Sequence, residues 1–424
     1  MSSASSDRPL HGVNLFGYLR AESGVGEHAR TLLAVLDEAG VATVPIDFGD
    51  TRSRRDHPLP PGASEEPHFD RHLICVNADQ TPHFIERFGE ARLGAAPRIG
   101  YWHWEVEEFP DGMAASAELV DGIWTASRHS AAAIRKKVSR PVFVFPPAVD
   151  APAPAPLTDG LVPAGTHPLF LVCFDYDSVL ERKNPLGAIA AFRRAFGAGT
   201  GAHLLVKSVN GWMHPEMHRQ VVEAADGRAD ISIVDRFLSR PEQAGLIHAC
   251  DVFVSLHRAE GFGLMLAEAM SAGKAVIATA YSGNLEFMNE ETGVLLPWSY
   301  TTIKAGAGPY SGRWAEPDID AAAEALQRLA ANPSWGRGIG ARARASIRAH
   351  HGVEARASVI RRRLAELAST LPAAGAATSR DSQSLAAARA IAGELGKERR
   401  RNRLRSQPPS GWIERLRTRW ERRF

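Results

Sequence analysis

The feature that most narrows the fold of this chain is a repeated alternation of short apolar runs with polar or helical connections. HGVNLFGYL, VATVPIDF, HLICVNAD, APRIGYWHW, DGIWTASR and PVFVFPP read as strands, and ESGVGEHARTLLAVLDEAG, with apolar residues at 3.6 spacing, reads as the helix between the first two. The pattern resumes at PLFLVCF and continues through HLLVKSV, ISIVDRF, VFVSLH, AVIATA and GVLLPW, with NPLGAIAAFRRAF, RPEQAGLIHAC and a stretch from about Gly263 as helices. Strands that each lead into a helix build parallel sheets covered on both faces. A Pro-rich, aperiodic stretch parts the two runs, so the expected class is α/β with two parallel-sheet domains. The expected boundaries are residues 1–150 and 168–335 for the domains and 151–167 for the linker, with helices at 336–369 and an Ala/Arg-rich tail at 370–424.

Composition sets further limits. The 44% hydrophobic and 23% charged content is enough for two cores and excludes a chain disordered throughout. Fifty Lys+Arg against 48 Asp+Glu leave +2, too little positive charge for a protein that wraps nucleic acid. The average conceals an asymmetry, because residues 397–424 carry eleven Lys/Arg against three Glu, a net of +8. Within that segment Trp412, Leu416, Trp420 and Phe424 recur at a spacing of four among arginines, the stripe of a basic amphipathic helix drawn to an anionic membrane surface. The alternative for the same stripe is a helix docked on its own domain. Cys75, Cys173 and Cys250 form no CxxC or Cys/His cluster, so they read as structural thiols of a cytoplasmic protein and no metal site is expected. The start of the chain lacks the pattern of a signal peptide and nothing approaches a membrane span, so the expected location is cytoplasmic, with peripheral attachment to the inner face of the membrane through 397–424.

The segment with the most chemistry is HRAEGFGLMLAEAM, His257 to Met270. A strand ends, Glu260 follows, Gly261 and Gly263 flank Phe262, and Leu264 opens a helix that carries Glu268. Glycines let backbone N–H groups approach a ligand, a helix start offers unpaired donors and partial positive charge to phosphate, and carboxylates accept hydrogen bonds from hydroxyls. These parts suit a nucleotide-linked ligand, with a carboxylate at the strand–helix junction as a reader of sugar hydroxyls. The bland alternative is that the acidic residues only complement the helix dipole.

EGFGLMLAEAMSAGKAVIATAYSGNLEFM closely resembles the E-x7-E region of retaining family-4 glycosyltransferases, with Ala275 where the family usually has proline. The resemblance runs from about Gly12 to Leu367 and includes ERKNPLGAIAAF, GYWHWEVEEFP and SGVGEHAR. It implies a GT-B architecture of two Rossmann-like domains facing a cleft. Residues 1–150 would form the acceptor side, 168–335 would bind the sugar nucleotide, and the closing helices 336–369 would pack back toward the first domain. It further implies that Glu268 binds the ribose, that Glu260 contacts the transferred sugar, and that the backbone of Gly261, Phe262, Gly263 and Leu264 approaches sugar and diphosphate. Lys183 would neutralise the departing diphosphate. The family's partner arginine usually lies five residues earlier, where this chain has Ser178, which leaves Arg182 as the substitute. His103 matches a histidine close to the donor sugar, Glu105 is a weaker candidate beside it, and Gly24 and Gly26 match a glycine loop before the first long helix.

The implied activity is metal-independent transfer, with retention, of a hexose-type sugar from a nucleoside diphosphate sugar to a hydroxyl of a glycan or lipid-linked acceptor, with no cofactor. A sugar-nucleotide 2-epimerase and a non-catalytic component of polysaccharide assembly are the alternatives. No nucleic-acid partner is expected.

Overall fold

The computed structural model describes residues 12–51, 53–156, 160–161 and 167–370, with isolated positions at 386, 389–390 and 393. The amphipathic basic helix expected within 397–424 lies outside the described residues. The chain divides into two units. One holds the described residues up to Trp104, Phe109–Val149 and those from Ala349, and the other holds Glu105–Glu108 and Asp150–Arg348.

In the first unit β1 (Val13–Gly17), β2 (Thr43–Asp47), β3 (His72–Cys75), β4 (Arg98–Trp102), β5 (Gly122–Thr125) and β6 (Val142–Val144) form one parallel sheet in the order β2-β1-β3-β4-β5-β6. Every residue of β1, β3, β4 and β5 is buried, as a parallel sheet covered on both faces requires. Helix Gly24–Glu38 begins at Ser23, whose Oγ accepts from the Gly26 amide at 3.1 Å, and it buries Ala29, Leu32, Val35 and Leu36. Helix Val353–Thr370 lies against it, and Arg361 Nε donates to the Ala39 carbonyl at 2.7 Å where the first helix ends.

The second unit repeats the plan. Strands β7 (Leu169–Asp175), β8 (His203–Val209), β9 (Ile231–Asp235), β10 (Val252–Ser255), β11 (Ala275–Thr279) and β12 (Val294–Leu296) are parallel in the order β12-β11-β10-β7-β8-β9. Phe170, Val172, Leu204, Val206, Val254 and Ile277 pack beneath helices Pro185–Ala195 and Ile319–Ala331 to make its core. The order reverses between β7 and β10, which opens a crevice at the carboxyl ends of those two strands.

The alternation did not foretell the antiparallel hairpin of β13 (Trp298–Thr302) and β14 (Arg313–Pro317), which leaves the end of β12. Its two short strands flank a glycine-rich loop, so neither run announces its partner. Cys75, Cys173 and Cys250 are free, and burial pushes each thiol up to about 12, which suppresses thiolate chemistry. Among the described residues no helix is long and apolar enough to cross a membrane.

Helix Pro333–His351 passes close over the turn after helix Leu264–Ser271. A Cβ on Gly340 would sit 2.0 Å from the Gly273 carbonyl oxygen, and backbone cannot yield as a flexible side chain can. Gly340→Ala is therefore expected to destabilise the protein by about 2–3 kcal/mol. In the same helix Gly338→Ala, whose added carbon meets nothing nearer than 3.7 Å, should leave the urea midpoint unchanged or higher.

Candidate active site

Two loops meet at the crevice of the second sheet. The loop after β7 contains the single helical turn Leu180–Lys183, bracketed by Val179 at φ 66° and Asn184 at φ 50°. Asn184 secures the far end twice over: its Nδ2 donates to the Leu256 carbonyl at 2.9 Å and its Oδ1 caps the next helix at the Gly187 amide. The loop after β10 brings in His257, Arg258 and Glu260 and ends at Gly263, whose φ of 97° turns the chain into helix Leu264–Ser271.

The two loops are joined by charge. Lys183 Nζ lies 2.5 Å from Glu260 Oε1, and Arg182 Nη1 lies 3.3 Å from Glu260 Oε2. Arg182 is only 4% exposed and also donates to the carbonyls of Ala259 at 2.9 Å and Ser178 at 3.2 Å. Lys183, with 23% of its side chain exposed, is the more accessible cation. Glu260 is itself fixed through its main chain, because its amide donates to Ser282 Oγ at 2.8 Å and its carbonyl accepts from Gly283 at 2.9 Å. Gly283 has to be glycine there, since a Cβ would lie 2.2 Å from the Gly261 carbonyl oxygen.

Burial alone would raise the Glu260 pKa, but Lys183, Arg182 and His257 outweigh it and hold the carboxyl at about 2. The group is a carboxylate at any physiological pH, an acceptor and not an acid. Burial lowers the Lys183 pKa against the opposing pull of Glu260.

The remaining expected residues of this unit lie on the same chain segment. Phe262 packs its ring at 4.8 Å from that of Phe287 and is 4% exposed, so only its backbone is left to meet a ligand. Leu264 is the first residue of the helix, and Glu268 is half-buried in it, close enough to Cys173 of β7 for its charge to raise that thiol.

In the first unit His103 follows β4, its amide bound by Asn77 Oδ1 at 2.7 Å. Burial lowers its pKa to about 4, so the ring is neutral, and its Nε2 has no hydrogen-bond partner among the described residues. His28 stands behind it, with ring centroids 5.2 Å apart, and both of its ring nitrogens are likewise buried without a partner among those residues. Gly26 has an internal reason to be glycine, because a Cβ would meet the carbonyl oxygens of Ala21 and Tyr18 at 2.5 and 2.7 Å, and Ser23 already uses its amide. A Cβ on Gly24 would meet nothing within 4 Å.

Sequence reasoning passed over several supporting residues. Arg258 and Asn184 adjoin residues it singled out, and each could have been noticed as a polar neighbour in HRAEG or RKNP. Ser282 and Tyr310 carried no local signal. Among the described residues no group of three His, Cys, Asp or Glu side chains is placed to hold a metal ion.

The Glu260 ion pairs have a signed pH dependence. The folded carboxyl is depressed from the ordinary 4.5 to about 2, so its stabilisation is complete above about pH 4.5 and disappears as pH falls toward 2. Glu260→Gln strands two cations and is expected to cost about 3–5 kcal/mol at pH 7 by urea unfolding. The gap between variant and parent should narrow steadily as pH falls from about 4.5 toward 2.

Residues 232–346, which include Glu260 through Glu268, match the family model for glycosyl transferases group 1. No curated protein sequence matches the chain. Among solved structures, sucrose-phosphate synthase from Thermosynechococcus elongatus superposes with a TM-score of 0.62 at 18% identity, covering 85% of this chain and 99% of its own. HepE from Anabaena, solved with UDP and glucose, gives 0.60 at 14% identity over 84% of this chain and 100% of its own. The pneumococcal O-GlcNAc transferase GtfA, solved with UDP and GlcNAc, gives 0.56 at 11% over 84% and 99%. The two parallel six-stranded sheets with their helices are thus a GT-B fold, within which residues 232–346 match the model for glycosyl transferases group 1.

Proposed function

We propose that the protein is a retaining glycosyltransferase of the family-4, E-x7-E type, moving a hexose-type sugar from a nucleoside diphosphate sugar to a hydroxyl of a glycan or glycolipid. The observation that carries the reading is the pairing of Lys183 and Arg182 with Glu260, beside the helix start at Gly263, in the crevice where an open parallel sheet binds ligands.

Cleaving the anomeric carbon–oxygen bond develops positive charge on the sugar and negative charge on the departing diphosphate. Fixed donors aimed at that developing charge are the largest source of acceleration. An ammonium group has three donors, so Lys183 can keep Glu260 on one and offer the others to phosphate. The helix start at Gly263 adds backbone donors of the same sense. This pair of cations supplies positive charge without a metal ion.

Glu260 is held as a carboxylate with one oxygen on each cation, which leaves it suited to accept from sugar hydroxyls and poorly suited to attack carbon. Retention then proceeds on one face. The acceptor oxygen bonds to the anomeric carbon as the diphosphate leaves from the same side, and a phosphate oxygen takes the acceptor's proton. Glu268 is assigned to the donor ribose. In the first unit His103, with its neutral ring, and Gly24 and Gly26 are assigned to the same reaction by resemblance. Because HepE and GtfA were solved with UDP, uridine donors head the list for assay.

Lys183→Ala is expected to lower kcat about 10²–10³-fold with the UDP Kd changed by less than about threefold. Equal losses in both would remove Lys183 from the transition state. Proton NMR of the product should show the donor's anomeric configuration preserved, and an inverted linkage would overturn the one-face mechanism.

A further inference from the structure

The β13–β14 hairpin has no part in the chemistry above, yet it converges on the turn that carries both cations. We propose that it braces that turn, with Tyr310 as a positioning residue for Arg182 and, through the shared turn, for Lys183. The inference rests on the assignment of these two cations to the reaction.

Four observations support it. Val179, which opens the turn, is β-branched and sits at φ 66°, ψ 107°, a conformation that persists only where the surroundings impose it. The hairpin loop supplies such a surrounding, since Gly308 comes so near that an added Cβ would lie 2.8 Å from Val179 Cγ2. The Tyr310 ring stands with its centroid 5.8 Å from Arg182 Cζ, within cation–π range, and its hydroxyl donates to Glu105 Oε2 at 3.1 Å. Finally, Glu316 of β14 grips the Arg258 guanidinium with both oxygens at 2.7 Å, and Arg258 in turn reaches the turn's own backbone. Its Nη1 donates to the Glu181 carbonyl at 2.6 Å and its amide to the Arg182 carbonyl at 2.8 Å.

One helical turn of four residues cannot hold itself, because it lacks the length to repay nucleation. A lone hairpin is equally marginal. This one is secured at Glu107, which accepts from Tyr300 at 2.6 Å and Arg313 at 3.2 Å, with Arg313 also 3.7 Å above the Tyr300 ring. The hairpin thus reaches the strained turn through Tyr310 and Gly308 and, by way of Glu316, through Arg258, in addition to the ion pairs with Glu260.

The test uses the full chain with Tyr310→Leu and Tyr310→Phe. In hydrogen exchange, residues 179–184 of Tyr310→Leu are expected to exchange about tenfold faster than in the parent, with the strands of the second sheet unchanged. Tyr310→Phe, which keeps the ring over Arg182, should stay within about threefold of the parent. For UDP release from UDP-glucose, kcat of Tyr310→Leu should fall about tenfold or more with the UDP Kd nearly unchanged, and adding it to Arg182→Lys should cost little more than the worse single change. Unchanged exchange at 179–184, or full additivity of the two substitutions, would overturn the brace. If exchange responds but neither Arg182→Lys nor Lys183→Ala alters turnover of any donor, the brace stands and the assignment of the cations to catalysis fails.

Discussion

A buried carboxylate is the constraint around which the second unit is organised. Glu260 is 6% exposed, and an isolated charge at that depth would cost several kcal/mol. Its ionisation persists because two cations from the loop after β7, Lys183 and Arg182, meet it, one on each oxygen. That requirement explains why the neighbouring backbone is so fully committed. Ser282 and Gly283 hold the Glu260 peptide, Ala259 and Ser178 satisfy the Arg182 guanidinium, and Asn184 ties the cation loop to the strand end that delivers Glu260. Loosening any one of these leaves a charge in a poor dielectric.

Position in the sheet determines why the cluster can meet a ligand at all. The strand order reverses between β7 and β10, so the loops after those strands diverge to opposite sides and leave a crevice between them. The charges line that crevice. A group of the same composition elsewhere on the sheet would be covered by the crossing helices and would serve only as a buried ion pair. Fold and electrostatics are therefore inseparable here, since the strand order places the cations at the crevice and the cations keep Glu260 ionised.

Much of this was legible before any coordinates. The twelve parallel strands follow from β-forming runs that recur with helical spacers, and local chemistry marks Gly263 as a turn into a helix. Glu260 stands out because a carboxylate follows a strand end and precedes a glycine-flanked helix start, and Lys183 through the resemblance of its ERKNP loop to the family-4 glycosyltransferases. The hairpin was not legible. Strands β13 and β14 face each other across a loop of ten residues, and what stabilises them lies at Glu107 and Arg258, far off in the chain. Gly26 gains a second reason to be glycine from the fold. The resemblance matches it to a ligand-facing glycine loop, and the carbonyls of Tyr18 and Ala21 crowd its α-carbon closely enough to require glycine without any ligand.

By itself the sequence determined the α/β class, the succession of strands and helices, and the residue types available for charge and hydrogen bonding, because periodicity and turn chemistry act over a few residues. Tertiary structure alone decided that Arg182 is a buried partner of Glu260 while Lys183 keeps an exposed face, that Phe262 gives its ring to the core, and that Tyr310 stands beside the cation turn. Those outcomes depend on distances through space between segments that no local pattern relates, and the energies of desolvation and ion pairing that make them matter exist only after the chain has excluded water from the crevice wall.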